Sequence, residues 1–256
     1  MSYTPIIRNR GIKIISEIRF DTTSFSLEDG KIKQYAGTCH YVLPDGNTLH
    51  AYLDSKAWME APILGGGAFG KAYRITVGGT EFVLKHQTDY DVSKTHPVSI
   101  MKECEILARF IGNPYAVQLL AAEITETDAY ILSPYIPGMV LEDWWATHPS
   151  KEDRRRVYNA FLTGLQSIHG TGIVHRDIHP RNLYVPDDRT IAPFFLDFGR
   201  SMPISHTVRP NLNYEMITRK VFSKNAEEEF LPIIKTFNTV RNKSTVRFRK
   251  TRRRKS

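Results

Sequence analysis

The sequence predicts an α+β fold in two parts, in which a β-rich first part is followed by a mainly helical second part. Residues 63–85 are rich in β-branched and aromatic residues and contain a Gly78-Gly79 turn, a pattern typical of paired strands. Residues 151–170 instead carry apolar side chains three or four positions apart, as one face of an amphipathic helix requires. This apolar face consists of Val157, Phe161, Leu165 and Ile168.

Shorter patterns predict the remaining elements. Helical spacing predicts helices over residues 99–111, 141–147 and 226–239. Apolar, β-branched runs predict strands at residues 117–120, 130–136 and 194–196. Two strand-like runs around a Pro44-Asp45-Gly46-Asn47 turn predict a hairpin over residues 38–52.

Composition limits the class of protein. The 256 residues suit one domain or one unit of two lobes. No run of about 18 apolar residues predicts a membrane span, and the N-terminus lacks the apolar region of a signal peptide. Cys39 and Cys104 are the two cysteines, so we expect a soluble protein of a reducing compartment, the cytoplasm or the nucleus.

The positive charge is concentrated at one end of the chain. Of the formal net charge of +8, residues 246–256 contribute +7, which leaves +1 for the rest. This basic tail predicts an anionic partner, which would be a nucleic acid, an acidic protein or a membrane surface. A solvated end without a partner is the alternative.

A glycine-rich segment predicts a phosphate-binding loop. Residues Gly65-Gly66-Gly67-Ala68-Phe69-Gly70 contain the pattern G-x-G-x-x-G, whose glycines let the backbone approach phosphates. In the dinucleotide-binding fold and the P-loop a helix follows the glycines, whereas a strand-like run follows here. Ala72 also stands where a P-loop has a hydroxyl. The pattern therefore favours a loop between two strands.

The second half contains a constellation of oxygen ligands. It reads His175-Arg176-Asp177-Ile178-His179-Pro180-Arg181-Asn182 and is followed by Asp197-Phe198-Gly199. Asp177 is a candidate to orient an acceptor hydroxyl, while Asn182 and Asp197 offer oxygen ligands to Mg²⁺. His175 and His179 also have a spacing that permits a zinc pair, although Pro180 disfavours the helix such a pair needs.

This constellation resembles the catalytic loop and the D-F-G turn of the protein kinase superfamily. The resemblance implies a bilobal fold with a β-rich N-lobe and a reduced, mainly helical C-lobe. It also implies ATP and Mg²⁺ as cofactors. Lys85 matches the lysine that positions the phosphates, and Glu103 matches the acid that holds this lysine. Glu105 is the alternative to Glu103, and His175 is expected to be structural.

The resemblance extends to the nucleotide pocket. Residues 131–138 are similar to the hinge between the lobes, in which Pro134 would present a carbonyl group and Ile136 an N–H group to adenine. Ala72 and Val83 would cover the ring from above, and Tyr184 or Leu183 from below. The implied nucleotide-binding residues are Gly65, Gly66, Gly67, Ala68, Phe69, Gly70, Ala72, Val83, Lys85, Ser133, Pro134, Ile136 and Tyr184.

The resemblance also divides the chain. Residues 1–60 form an N-terminal extension expected to pack on or near the N-lobe, residues 61–136 form the N-lobe and hinge, residues 137–245 form the reduced C-lobe, and residues 246–256 form the basic tail. No A-P-E motif follows the D-F-G turn. The chain is therefore similar to minimal kinases, such as the compact kinases of bacterial effectors that are delivered to a host, or of viruses.

Three residues of the loop bear on the acceptor. His179 stands where Ser/Thr kinases usually carry Lys, whereas Arg181 resembles the tyrosine-kinase loop. Arg176 favours a protein kinase, since small-molecule phosphotransferases of this fold usually carry Gly there, and in the family this Arg pairs with a phosphate on the activation segment. Candidate phosphorylation sites are Ser201, Ser205, Thr207 and Thr218.

The resemblance implies an ATP- and Mg²⁺-dependent protein kinase that acts on a protein hydroxyl, Ser or Thr in preference to Tyr. Two alternatives stay open. One is an ATPase or small-molecule kinase on the same fold, and the other is a nucleotide-regulated binding module, or pseudokinase, that uses the basic tail.

Overall fold

The structure is a computed structural model that describes residues 2–3, 6–9, 20–21, 25–28, 31–34, 40–42, 51–67, 70–88, 100–124, 128–205, 207–217 and 221. The chain forms two compact units. The first, called the N-lobe here, comprises Met1–Asn113 and Val117–Ile136. The second, called the C-lobe, comprises Pro114–Ala116 and Pro137–Ser256.

A six-stranded sheet is the framework of the N-lobe. Its strands lie in the order Ile6–Asn9, Ala121–Ile124, Asp128–Pro134, Thr80–Thr88, Gly70–Val77 and Ile63–Gly67. Neighbouring strands are antiparallel, except that Ile6–Asn9 runs parallel to Ala121–Ile124. The N-terminal segment thus contributes an edge strand to this sheet.

Smaller elements complete the described N-lobe. Ser2–Tyr3 pairs with Phe20–Asp21. Phe25–Glu28, Lys31–Gln34 and His40–Val42 form a three-stranded antiparallel sheet. Helical structure occurs at residues 51–54, at the 3₁₀ turn Ala57–Glu60 and at the helix Ile100–Ala108.

The two faces of the six-stranded sheet differ because side chains alternate along each strand. One face carries Tyr73, Ile75, Val77, Phe82 and Leu84, which pack into a buried core with residues that include Leu53, Trp58 and Leu132. The opposite face carries Ala72, Val83, Lys85, Ile131 and Ser133, as the strand register shows.

The prediction of a hairpin over residues 38–52 is wrong in its second arm. Strand His40–Val42 pairs with Lys31–Gln34, and residues 51–54 are helical. The helical turn lets Leu53 enter the sheet core at 4% exposure. The Leu53 carbonyl group then accepts the Trp58 indole N–H at 3.2 Å. Burial of Leu53 and Trp58 therefore outweighs the local strand preference.

The prediction of a strand at residues 117–120 is also wrong, because the strand begins at Ala121. The Gln118 amide group instead closes the turn after helix Ile100–Ala108. Its nitrogen donates to the Phe110 and Asn113 carbonyl oxygens at 3.1 and 2.9 Å, and its oxygen accepts the Gly112 N–H at 2.8 Å. These bonds satisfy backbone groups that a helix end leaves without helical partners.

Helices and short strands alternate in the C-lobe. The helices are Leu141–Ala146, Lys151–Gly170 and Asn211–Met216, and Pro180–Asn182 forms a 3₁₀ turn. Gly138–Val140, Leu183–Pro186 and Phe194–Phe195 form a three-stranded antiparallel sheet. Ile173–Val174 pairs with Met202–Pro203.

The predicted long helix is confirmed as Lys151–Gly170. It begins after Ser150, whose Oγ accepts the Asp153 N–H at 3.1 Å, as an N-cap side chain does. Its predicted apolar face is fully buried, and the Phe161 ring packs edge-on against Phe195. The predicted helices at residues 99–111 and 141–147 are confirmed within three residues at each end.

The α+β prediction is confirmed by these two units. The predicted helix at residues 226–239 and the basic tail lie outside the described residues. Among the helices of the described ranges, none is long and apolar enough to cross a membrane.

Candidate active site

Lys85 and the buried Glu103 form an ion pair in the N-lobe. Lys85 lies on strand Thr80–Thr88, and its Nζ donates to both carboxylate oxygens of Glu103 at 2.8 and 2.9 Å. Glu103 belongs to the first turn of helix Ile100–Ala108 and is 2% exposed. Because a buried carboxylate needs a charged partner, the pair holds the Lys85 ammonium group in one place on this face of the sheet.

The contact decides between the two acids considered from the sequence. Glu103 binds Lys85, whereas Glu105 is exposed on another face of the helix. Cys104 lies between them and is fully buried. Burial, reinforced by the Glu103 charge, raises the pKa of the Cys104 thiol, so this residue is an apolar packing element at neutral pH.

The glycine-rich segment forms the tip of two paired strands. Gly65 pairs with Ala72, and Gly67 with Gly70, while Ala68 and Phe69 lie outside the described residues. Gly70 has φ +114°, and a Cβ there would lie 2.1 Å from the His86 carbonyl oxygen. Position 70 therefore requires glycine for both its dihedral angle and its close backbone contact.

The residues predicted to surround a nucleotide share one face of the sheet. Ala72 and Ile131 flank Lys85 in register on neighbouring strands, and Val83 pairs with Ser133. Ser133 is buried at 6% exposure. The side chains at positions 72 and 133, on either side of Lys85 and Val83 in the register, are the small Ala and Ser.

The predicted hinge lies where the last N-lobe strand ends. Pro134 is the final residue of Asp128–Pro134 and pairs with Phe82. Ile136 is buried at 8% exposure and is the last residue assigned to the N-lobe. A proline at a strand end costs no ladder donor, so its carbonyl group is the polar group it offers.

His175 organises the start of the C-lobe loop. It is completely buried, its Nε2 lies 2.8 Å from the Leu196 carbonyl oxygen, and its Nδ1 accepts the Asp177 N–H at 3.2 Å. Nε2 therefore carries the proton, and burial lowers the pKa of His175. Both ring nitrogens thus bond backbone groups of the loop, which disfavours the zinc alternative, and the described residues contain no group of three His, Cys, Asp or Glu side chains that could hold a metal ion.

Asn182 connects Asp177 to Asp197. Its side-chain Nδ2 donates to the Asp177 backbone carbonyl oxygen at 2.9 Å. The backbone carbonyl oxygen of Asn182 accepts the Leu196 N–H at 2.9 Å. Asp197 follows directly with φ 55°, and its Oδ1 accepts the Gly199 N–H at 3.3 Å. The C-lobe thus brings Asp177, Asn182 and Asp197 together through hydrogen bonds that the loop sequence itself supplies.

The Asn182 and Asp197 side chains fit Mg²⁺. Because the Asn182 amide nitrogen is directed at Asp177, the amide oxygen is the atom that Asn182 presents elsewhere. An amide oxygen and a carboxylate are oxygen donors of the kind that Mg²⁺ prefers, with its remaining positions filled by water or phosphate.

The Asp177 carboxylate lies between the His179 imidazole and the Arg200 guanidinium group. His179 Nε2 is 3.9 Å from Oδ2, and Arg200 Nη1 is 3.8 Å from Oδ1. The Asp177 side chain is 16% exposed. Sequence analysis did not single out Arg200, since a cation immediately after a D-F-G turn carries no pattern that distinguishes it from a solvated side chain.

The segment after Gly199 is hydrogen-bonded to the loop that carries Asp177. The Arg176 guanidinium donates to the Arg200 carbonyl oxygen and to the Met202 sulfur. Ser201 is completely buried, and its Oγ donates to the His175 carbonyl oxygen at 3.1 Å. The prediction of Ser201 as a candidate phosphorylation site is therefore wrong, because its hydroxyl group is inaccessible. Ser205 and Thr207 are exposed, and Thr218 lies outside the described residues.

A polar cluster around the fully buried Asn213 holds the backbone of Arg176. Arg176 has φ 70°, and its backbone N–H donates to Asn213 Oδ1 at 2.9 Å. Asn213 Nδ2 lies 2.9 Å from His169 Nε2, and His169 Nδ1 lies 3.3 Å from the Tyr214 hydroxyl group. Burial lowers the pKa of His169 to about 4 and raises that of Tyr214 to about 12. The sequence carries no local signal for this cluster, since its members come from three separate segments.

Tyr184 and Leu183 are separated by strand alternation. Leu183 is fully buried, whereas Tyr184 is half-buried and its ring contacts Phe194. Tyr184 also pairs with Val140 across the small sheet. Of the two alternatives, Tyr184 is the residue whose ring is accessible on the C-lobe surface.

Comparison with known proteins identifies the family of the chain. A family model described as a protein kinase domain matches residues 58–225. The chain is 28% identical over 154 residues to the serine/threonine-protein kinase AtPK1/AtPK6 of Arabidopsis thaliana. The matched residues make up 58% of this chain and 32% of the relative. The chain is also 30% identical over 149 residues to the probable serine/threonine-protein kinase PkwA of Thermomonospora curvata, and this match covers 57% of this chain and 20% of the relative.

Rho-associated protein kinase 1 of Homo sapiens is 26% identical over 146 residues, 56% of this chain and 11% of the relative. The match thus spans about a third or less of each of these relatives. Because the family match covers well over half of the chain and includes the Lys85–Glu103 pair and the Asp177–Asn182–Asp197 loop, the chain belongs to the protein kinase domain family.

Proposed function

We propose that this protein is an ATP- and Mg²⁺-dependent protein kinase that transfers the γ-phosphoryl group to a protein hydroxyl, Ser or Thr in preference to Tyr. The observation that carries the proposal is the loop in which Asn182 bonds the Asp177 carbonyl group and the Leu196 N–H. These hydrogen bonds support the assignment of Asp177 as the candidate base and of Asn182 and Asp197 as oxygen ligands. The names of the matched relatives support the Ser/Thr preference.

Each residue has a separate role in the proposal. Lys85 binds the α- and β-phosphates, and Glu103 holds its ammonium group through two short hydrogen bonds. Bound Mg²⁺ would neutralise phosphate charge as it develops. Asn182 and Asp197 hold the metal, and Asp177 accepts a hydrogen bond from the acceptor hydroxyl and orients its oxygen for in-line attack.

The boundaries proposed from the sequence accompany this function. Residues 1–60 are an extension of the N-lobe, 61–136 the N-lobe and hinge, 137–245 the C-lobe and 246–256 a basic tail. The strand Ile6–Asn9 at the edge of the N-lobe sheet supports the first assignment. The break between the two units after Ile136 supports the second.

The test is phosphate transfer from γ-labelled ATP with Mg²⁺ to a generic protein acceptor and to the protein itself. We expect labelled protein with the wild type and loss of labelling with Asp197→Ala. Asp187→Ala is the matched control, because Asp187 is an exposed aspartate of the same lobe whose backbone N–H, not its carboxylate, bonds Pro137.

Three results would contradict the proposal in different ways. ATP hydrolysis without labelled protein would indicate an ATPase or a small-molecule kinase. Nucleotide binding with no turnover would indicate a binding module. Equal labelling with Asp197→Ala would show that the activity does not come from this site.

A further inference from the structure

Gln87 is a buried polar residue of the N-lobe whose amide nitrogen lacks an acceptor in the fold. It lies on strand Thr80–Thr88 and is 8% exposed. Its Nε2 is buried and has no hydrogen-bond partner in the part of the chain that the structure describes. Because a buried donor without an acceptor loses its hydration and gains nothing in return, this amide group calls for an acceptor from another source.

Gln118 shows how the same side chain is satisfied within the same lobe. It is 4% exposed, and its amide group takes part in three hydrogen bonds to backbone groups, at 2.8, 2.9 and 3.1 Å. The contrast indicates that Gln118 serves the fold, whereas the Gln87 nitrogen is left for a ligand.

Gln87 lies on the face of the sheet that carries Lys85. Residues two positions apart on a strand point to the same side and lie about 6–7 Å apart, so Val83, Lys85 and Gln87 form one row. Gln87 pairs in register with Ala129 on one side. On the other side, a Cβ at Gly70 would lie 3.0 Å from Gln87 Cγ. Gln87 thus packs against the end of the glycine-rich segment.

The order of this row follows the order of the groups in a nucleoside triphosphate. In the proposed function, Val83 covers the base and Lys85 binds the α- and β-phosphates. Gln87 lies one step further along the row, where the terminal phosphate would follow. A phosphate oxygen is an anionic acceptor, and a hydrogen bond from an N–H group to it is stronger than a bond between neutral groups.

The Gln87 nitrogen is reached from the side of the glycine-rich segment. Because Nε2 is buried, a phosphate oxygen contacts it when the paired residues Gly67 and Gly70 shift away from strand Thr80–Thr88. Gly65 and Gly66 are exposed, and a Cβ at Gly65 would meet nothing within 4 Å. This part of the segment is therefore loosely packed, and a shift there breaks few contacts.

We propose that Gln87 is a further phosphate-binding residue, whose amide nitrogen donates to the terminal phosphate group of a bound nucleoside triphosphate. The inference rests on the proposed kinase function and adds a neutral donor that distinguishes a triphosphate from a diphosphate.

The test measures binding of ATP and of ADP, each with Mg²⁺, to the wild type and to Gln87→Met by calorimetry. Methionine has a similar length and flexibility but no N–H group. We expect the affinity for ATP to fall at least about tenfold, as loss of a hydrogen bond to a charged group implies. The affinity for ADP should be unchanged. Without nucleotide, the denaturant midpoint of Gln87→Met should be no lower than that of the wild type, because an unsatisfied donor leaves the interior.

Gln118→Met is the matched control, since it removes a buried glutamine of the same lobe whose amide group is fully bonded. It should lower the denaturant midpoint and leave the ratio of ATP to ADP affinity unchanged. Gln87→Glu retains the shape of the side chain but places a carboxylate beside the phosphate, so it should lower this ratio further than Gln87→Met.

The outcomes distinguish this inference from the function on which it rests. No ATP binding and no phosphate transfer by the wild type would overturn the kinase function. ATP binding by the wild type with the same ATP-to-ADP affinity ratio in Gln87→Met would overturn the role of Gln87 alone. A measurement on the wild type remains decisive if the variants do not fold: the side-chain amide resonances of Gln87 should shift more on addition of ATP than of ADP, and equal shifts would overturn the role of Gln87.

Discussion

Replacement of Lys85 by methionine tests whether the Lys85–Glu103 pair is a buried charge pair. The change leaves the Glu103 carboxylate without its ammonium partner at 3% side-chain exposure. Removal of one partner of a buried pair typically costs about 3–5 kcal/mol. Because the Lys85 side chain is 22% exposed, we expect the lower end, a loss of about 3 kcal/mol in the free energy of unfolding.

Simultaneous replacement of both partners should recover most of this loss. In Lys85→Met/Glu103→Leu no charge remains buried, and apolar replacements of a buried pair are often neutral or stabilising. We expect the double variant to lie within about 1 kcal/mol of the wild type. Phosphate transfer should nevertheless be absent from both variants, which separates the structural role of the pair from its proposed catalytic role.

The assay is denaturant unfolding without nucleotide, because a bound ligand would add its own stabilisation. Glu81→Gln is the control, since it removes the charge of a surface pair in the same sheet. Glu81 lies 2.7 Å from Arg74, and both side chains are about two-fifths exposed, at 43% and 41%. Such a pair contributes about 1 kcal/mol or less. A cost for Lys85→Met no greater than that for Glu81→Gln would refute the argument from burial.

Three further predictions concern packing and protonation. Gly138→Ala should destabilise the C-lobe by more than about 1 kcal/mol in denaturant unfolding, because Gly138 has φ +152° and a Cβ would lie 2.5 Å from a backbone oxygen of the facing strand. Gly170→Ala should not destabilise it, because a Cβ at Gly170 meets nothing within 4 Å. Equal effects of the two substitutions would contradict the steric argument. In a Cys39→Ser variant, Cys104 should react with a thiol reagent at neutral pH only as fast as the N-lobe opens, because burial raises the pKa of its thiol. Rapid stoichiometric labelling of the folded protein would instead show that the thiol is accessible. The free energy of unfolding should fall by up to about 3 kcal/mol as the pH drops from 6.5 to about 4, because His169 binds a proton in the unfolded chain but, with its pKa of about 4, not in the folded protein. The His169→Gln variant should show a shallower dependence on pH. An unchanged slope in this variant would assign the effect to other groups.

Local patterns were sufficient where structure depends on nearby residues. The apolar spacing of Val157 to Ile168 predicts the long helix because burial of one face dominates its stability. The Gly78-Gly79 turn predicts the pairing of the flanking strands, since a short loop leaves those strands few other partners. The order of Lys85, Asp177 and Asp197 indicated the family because each lies in a motif of fixed spacing.

Contacts between distant segments had to come from the tertiary structure. The sequence favoured Glu103 over Glu105 as the partner of Lys85, but the contact itself, from a strand to a helix 18 residues later, is seen only in the tertiary structure. It also left Ser201 among the exposed hydroxyl groups, although pairing of the segment after Gly199 with the strand Ile173–Val174 buries it. Residues 51–54 became helical because Leu53 gains a place in the sheet core.

The sequence by itself determined the family, the two-part fold and the identity of the charged groups proposed for catalysis. The tertiary structure decided which charges meet. Arg200 lies beside Asp177, and Asn213 and His169 hold Arg176 in a left-handed conformation. These partners are separated by 23 to 44 positions in the sequence, and side-chain contacts over such distances depend on the fold of the whole lobe rather than on local propensity.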